Sequence, residues 1–170
     1  PDRLALYGVT LQQLAGKVTQ VTDGVTPNGM PYTEITLAVA DSAKGELRGG
    51  AKYTFRQFGL LKPRKMPNGS TLAAVTPEGF PSWKVGEQVV AFMYKPASRT
   101  SLQTTAGLAQ GKLNVLDGRV QNEFHNRGLF DGVKIQDGLL SAKEREMLSS
   151  QGAVDAATFV GLVGRAVTGN

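Results

Sequence analysis

Residues Trp83–Tyr94 read W-K-V-G-E-Q-V-V-A-F-M-Y, and their pattern sets the fold class. Every residue from Val89 to Tyr94 is apolar. Side chains alternate along an extended chain, so Val89, Ala91 and Met93 face one way and Val90, Phe92 and Tyr94 the other. A strand that is apolar on both faces is covered on both, which places it at the centre of a sheet or closed barrel. Lys84, Gly86, Glu87 and Gln88 lead in as a turn. Pro96 ends the strand, because proline has no N–H to give a central ladder. A buried helix has the same hydropathy over so short a run; the bracketing Gly and Pro and the β-branched residues favour a strand.

Working outward, Tyr32–Ala40 alternates cleanly, with Thr33, Ile35, Leu37 and Val39 on a core face and Tyr32, Glu34, Thr36 and Ala38 on a wetter one. Ala15–Val21 reads as a strand with Leu14, Gly16, Val18 and Gln20 on one side. Asp23-Gly24, Pro27-Asn28-Gly29 and Lys44-Gly45-Glu46 are turns. Ala51–Phe58 is a strand with Tyr53 and Phe55 together on one face and Arg56 and Phe58 on the other. Leu60–Ser82 is a long irregular segment, punctuated by four prolines, with Leu72–Val75 as a short edge strand inside it. Gly111–Leu116 and Arg119–Asn122 flank Asp117-Gly118, a hairpin signal because both turn residues need positive φ. Val133–Ile135 adds one more short strand. The chain then changes character. Ser141-Ala-Lys-Glu144 is a capping box opening a helix over Ala142–Ser149. Asp155 caps a second helix, Ala156–Val167, where Phe159, Leu162, Val163 and Ala166 form one stripe.

The chain has 170 residues, 41% hydrophobic and 19% charged, which excludes a disordered polypeptide and supports one domain with a sizeable core. Its 21 glycines and eight prolines suit a turn-rich β protein. With no cysteine there is no disulfide framework, zinc knuckle or thiol chemistry. The net charge of +5 favours acidic partners, although the densest basic cluster is only Lys62, Arg64 and Lys65. No apolar run approaches the ~20 residues of a membrane-spanning helix. The start at Pro1 fits either removal of a secretory signal, the favoured expectation, or a chain trimmed at a boundary.

Chemical motifs are sparse. Gly107-Leu-Ala-Gln-Gly111-Lys112 falls short of a phosphate-binding loop: one residue too few separates the glycines, Leu113 stands where Ser or Thr belongs, and a strand follows. His125 is the single histidine, with Glu123, Asp131 and Asp137 near it but without ligand spacing. A hydrolase built on it would need a Ser or Asp oxygen beside the ring. Tyr53, Phe55, Arg56 and Phe58, with Lys52 and the Lys62–Lys65 loop, would bind single strands by stacking if they faced outward, but alternation assigns Tyr53 and Phe55 to the core. These readings predict no enzyme, no cofactor and no metal.

The order of elements carries a resemblance. A-G-K-V-T-Q-V at 15–21, Y-T-E-I-T-L-A-V-A at 32–40 followed by Lys44-Gly45, V-G-E-Q-V-V-A-F-M at 85–93 and G-L-A-Q-G-K-L-N-V at 107–115 resemble uncharacterised secreted bacterial β-barrel proteins. The first half of those proteins is in turn similar to the netrin-like, OB-type domains of metalloproteinase inhibitors. The resemblance spans roughly residues 11–116 and implies export and a barrel. The inhibitors' zinc-chelating N-terminal cysteine has no counterpart here.

The expectation is therefore a mainly β chain: an OB-like, netrin-like antiparallel β-barrel over residues 1–140 with a long loop at 60–82, and C-terminal helices over 141–170 packed on it in the same domain. It is expected to be secreted or periplasmic and non-enzymatic, a protein-binding or structural module. Exposed strands at Leu4–Val9 or Leu102–Ala109 would assemble it by β-strand donation. The alternatives are a partner or inhibitor of a co-exported protein, or a single-stranded nucleic-acid-binding barrel. The partner-binding residues are expected to be Leu4, Leu6, Tyr7 and Val9 in the first strand, and Lys62, Arg64 and Lys65 in the basic loop. Binding is expected to involve a second copy of the chain or a co-exported protein.

Overall fold

The computed structural model describes residues 12–40, 47–136 and 138–168, with the side chains of 47–50 and 166–168 excepted. The described strands are β1 (Gln12–Val25), β2 (Pro31–Ala40), β3 (Leu47–Phe58), β4 (Arg64–Lys65), β5 (Thr71–Leu72), β6 (Gln88–Met93), β7 (Lys112–Leu116), β8 (Arg119–Gln121) and β9 (Val154–Asp155). Helices α1 (Ala142–Ser149) and α2 (Ala156–Thr168) close the chain. Seven strands form one antiparallel sheet in the order β3-β2-β1-β6-β7-β8-β9, while β4 and β5 make a separate hairpin.

The stretch that set the fold class sits mid-sheet as β6, between β1 and β7. Its two faces feed two hydrophobic clusters. Val89, Ala91 and Met93 join Leu14, Val18, Ile35, Leu37, Phe55 and Trp83. Val90 and Phe92 join Leu113, Val120, Met147, Val154 and Phe159 on the other side, beneath the helices. Each fully buried side chain of this size contributes about 1.5–3 kcal/mol of transfer free energy, which is why a strand with no polar face is stable only here.

β1 departs from simple alternation. Val18 faces Leu37, but Gln20 faces Thr36 and Val21 faces Ile35, so the register shifts between Val18 and Gln20. The extra residue flips the side-chain order beyond it. Gln20 is thereby exposed, not aligned with Leu14 and Val18 as strict alternation predicts, and Val21 packs against the first cluster.

Among the described residues the sheet is not closed into a barrel. Leu102–Thr105 lies between β3 and β6: Gln103 N–H donates to the Arg56 carbonyl at 2.8 Å, and Tyr94 N–H to the Thr104 carbonyl at 3.0 Å. These contacts amount to isolated bridges, Arg56 with Leu102 and Met93 with Thr105. The chain turns away on both sides of this short stretch, at Ser101 (φ 59°) and at the 3-10 turn Leu108–Gly111, so no ladder develops. The same contacts use Leu102–Thr105 internally, and it is not a free strand for donation.

Other expectations meet the structure unevenly. Asp117 (φ 50°) and Gly118 (φ 72°) form the turn between β7 and β8 as read. Within Leu60–Ser82, the predicted strand Leu72–Val75 is split: Thr71–Leu72 pairs with Arg64–Lys65, and Val75 exchanges two main-chain bonds with Leu60 at 2.8 and 2.9 Å. Pro81 is buried near the end of the segment, and Trp83 just beyond it joins the first cluster. Val133–Ile135 is not a strand; it follows the turns of 123–132 and pairs with nothing as β structure.

Both helices start where their caps predict. The Ser141 hydroxyl accepts from Glu144 N–H at 3.3 Å and Glu144 Oε2 accepts from Ser141 N–H at 2.8 Å. Asp155 Oδ2 accepts from the N–H and hydroxyl of Thr158 at 2.8 and 2.7 Å. Arg165 of α2 ion-pairs with Glu144 of α1, tying the helices together. Phe159 is buried and Leu162 and Val163 pack beside it; Ala166 of the predicted stripe lies outside the described side chains.

These caps make stability pH-dependent. The Thr158 bonds hold the Asp155 carboxyl below its ordinary value. The Ser141 N–H and then Arg165 do the same for Glu144. A carboxylate whose folded pKa is depressed stabilises fully above its unfolded pKa of about 4 and loses that contribution as pH falls through the folded value. Urea midpoints are expected to drop between pH 6 and pH 3, and the drop should shrink in the Asp155→Asn/Glu144→Gln variant. An unchanged drop would place the acid sensitivity elsewhere.

Candidate functional site

Three features stand out, and the first is the outer edge of β3. Since Arg56 turns its carbonyl away from β2 to meet Gln103, alternation turns the main-chain groups of Lys52 and Thr54 the same way. Among the described residues nothing pairs with that edge at Lys52 or Thr54.

The second is the face of β1, β2 and β3 that looks away from the first cluster. Register stacks its side chains in rows: Lys17, Ala38 and Lys52; Gln20, Thr36 and Thr54; Thr22, Glu34 and Arg56; Gly24, Tyr32 and Phe58. Gly24 is required in the last row. A Cβ there would lie 2.5 Å from the Tyr32 hydroxyl, so the missing side chain lets the ring lie across β1. The Arg56 guanidinium sits 4.1 Å from the Tyr32 ring centroid and is held by Glu34 Oε2 at 2.8 Å. That carboxylate is the first cause of the upward shift in the Arg56 pKa.

At the end of these strands lies the basic hairpin. Arg64 donates to the Asp23 carbonyl at 2.8 Å and pairs with its carboxylate at 3.2 Å, while the other carboxylate oxygen accepts from Leu61 and Lys62 N–H. Burial pushes the Asp23 carboxyl up, but these bonds outweigh it and hold the group below its ordinary value. Arg64 therefore anchors the loop, and Lys62 and Lys65 remain exposed. Leu4, Leu6, Tyr7 and Val9 lie outside the described residues.

The third feature centres on Lys112. Its Nζ reaches Glu87 Oε2 at 2.5 Å and the Ser82 carbonyl at 2.6 Å, and lies 5.2 Å from the Trp83 ring centroid. Burial pulls its pKa down against the opposing pull of Glu87. The would-be phosphate loop is thus a 3-10 turn followed by a strand whose lysine is already committed. Beside it, Asn122 and Asn126 clamp a loop. Asn122 Oδ1 accepts from Phe124 and Asn126 N–H, and Asn126 Nδ2 donates to the carbonyls of Val120 and Gly152. The clamp holds His125 and Asn126 at φ 55° and 57°. The loop borders an open depression of about 380 Å3 lined by Gln110, Glu123, Phe124, His125 and Arg127. No oxygen is hydrogen-bonded to the His125 ring among the described residues, and no group of acids and histidine there has metal-binding geometry.

Protein-family models, curated proteins and solved structures were all compared with the chain. None matches it. No described helix is long and apolar enough to cross a membrane.

Sequence reasoning missed Tyr32, Glu34 and the two asparagines as members of any site, and met Lys112 only at the end of a failed phosphate-loop motif. Tyr32 was legible only as an outward strand residue, and its meeting with Arg56 depends on cross-strand register. Asn122 and Asn126 share the i, i+4 spacing of an ordinary loop pair.

Proposed function

We propose that this is a non-enzymatic, secreted or periplasmic binding module that takes an added strand along β3. The outward main-chain groups of Lys52 and Thr54, which nothing pairs among the described residues, carry this reading, since ladder groups at a sheet edge template a further strand. The resemblance of roughly residues 11–116 to secreted bacterial barrel proteins supports the export route and an OB-type origin for the β1–β3 and β6 portion. The first strand of a second copy, Leu4–Val9, is the proposed donor, which makes the assembly a self-associating structural one. A co-exported protein is the alternative donor.

Proline at position 54 removes an outward donor without touching the β2 ladder, because Thr54 turns its N–H away from β2. Light scattering of the full chain is expected to show oligomers that revert to monomer both in Thr54→Pro and on removal of residues 1–10. Oligomers lost only with Thr54→Pro would assign the donor to another segment. A wild-type chain that stays monomeric and captures no strand peptide from its own N-terminus would sink the self-assembly reading.

A further inference from the structure

The open face of β1–β3 is distinct from the β3 edge: its groups are side chains standing normal to the sheet. On this side of the sheet the cluster beneath α1 and α2 reaches from β6–β9 to Ala15 of β1, whereas beyond it Lys52, Thr54, Arg56 and Phe58 of β3 are exposed and Tyr32, Glu34, Thr36 and Ala38 of β2 half-buried. This outer part is neither apolar nor uniformly polar. At one end lie Tyr32 and Phe58, directly opposed across two strands, with Arg56 stacked on the tyrosine. Phe58 is 37% exposed and the Arg56 side chain 46%. A half-exposed phenylalanine beside a stacked guanidinium is an unfavourable way to meet water, and neither is needed by either hydrophobic cluster. At the other end stand Lys17 and Lys52, six residues from Phe58 along β3 and so about 20 Å away at the rise of a strand. Between the two ends lie threonines and a glutamine, neutral hydrogen-bonding groups.

We infer that this face binds single-stranded nucleic acid, with bases stacking on Phe58 and the Arg56–Tyr32 pair and the backbone running toward Lys52 and Lys17. Three features converge on this ligand. The flat exposed groups are of the kind on which any base stacks, whatever its sequence. Among the described residues of these rows the one carboxylate, Glu34, is neutralised by Arg56, so the remaining charge there is cationic. Lys62, whose N–H is held by the residue preceding Gly24, extends the positive potential past the aromatic end. An acidic polypeptide would satisfy the lysines but would leave Phe58 without a partner, whereas a nucleic acid uses both.

The test is fluorescence anisotropy of the full chain with a labelled oligothymidylate of about 15 nucleotides, near the upper site size of single-strand-binding folds. Binding is expected at 50 mM salt, weakening steeply by 200 mM. Phe58→Ala should lose about tenfold in affinity, the scale of one stacked base. Lys17→Gln/Lys52→Gln should lower the salt slope by about 1 to 2, as expected for two phosphate contacts. Lys143→Gln, on α1 away from the track, should change neither. Phe58 lies outside both clusters, and an unchanged urea midpoint would confirm that its variant is folded. Absence of binding at 50 mM salt overturns the inference. So does binding that Phe58→Ala leaves intact or that polyglutamate displaces as well as the unlabelled oligonucleotide does, since either would reduce the face to a generic polyanion surface.

Discussion

Trp83→Ala is expected to destabilise the fold by about 3–5 kcal/mol, the range for truncating a buried tryptophan to alanine. The ring is 7% exposed and meets Phe55 edge-on at 5.2 Å between centroids. Its Nε1–H donates to Gln57 Oε1 at 3.3 Å, and Gln57 Nε2 in turn holds the Pro81 carbonyl at 3.1 Å. The residue is therefore the lid of the first cluster and the fastening of the loop that carries it. Alanine would open a cavity, remove the stronger of the two donors to Gln57 Oε1 and strip the aromatic face from beside Lys112. Urea unfolding followed by circular dichroism is the measurement, because Trp83 is the sole tryptophan and its own fluorescence disappears with it. Trp83→Phe should recover most of the loss, leaving about 1 kcal/mol for the hydrogen bond. An alanine variant within 1 kcal/mol of wild type would mean that the first cluster is closed by something other than this loop.

Lys112 carries the second large effect. A buried ion pair is costly to break from one side, because the surviving charge stays behind without its partner. Lys112→Met is expected to lose about 3 kcal/mol, the low end for such a pair, since Glu87 keeps partial contact with water. Adding Glu87→Gln should restore part of that loss, because the amide has no charge to strand. The double-mutant cycle reads this coupling directly. If the two losses simply add, the 2.5 Å contact contributes no coupling, and the lysine acts only through the Ser82 carbonyl and the Trp83 ring.

What the sequence disclosed and what it hid follow a physical divide. β6 was legible because burial on both faces leaves a run with no polar residue, and the two helices because caps are local, with donor and acceptor three residues apart. The Asp117-Gly118 turn belongs to the same class. Closure was not legible: whether Leu102–Thr105 becomes a full strand depends on where the chain turns at Ser101 and Leu108, and both are non-glycine residues at positive φ that no pattern marks. Lys112 enters the sequence reading only at the end of a failed phosphate-loop motif, and its partners Glu87 and Ser82 are 25 and 30 residues away. The Tyr32–Arg56 stack needs both the β2–β3 register and the absent side chain of Gly24. Of the residues predicted to meet a partner, the sequence distinguished Arg64 from Lys62 and Lys65 in no way; only the position of Asp23 turns the arginine into an anchor.

Adjacent residues of β6, Val89 and Val90, belong to different hydrophobic clusters. The alternation continues through Ala91, Phe92 and Met93, so no single cut in the chain assigns β6 cleanly to the helical end or to the β1–β3 end. The two halves share a wall one strand thick, so loss of packing on one side frees β6 to shift and withdraws support from the other. Melting is consequently expected to be all-or-none across the sheet. This couples the outer edge of β3, strand by strand, to the integrity of the helical layer packed toward the other end of the sheet.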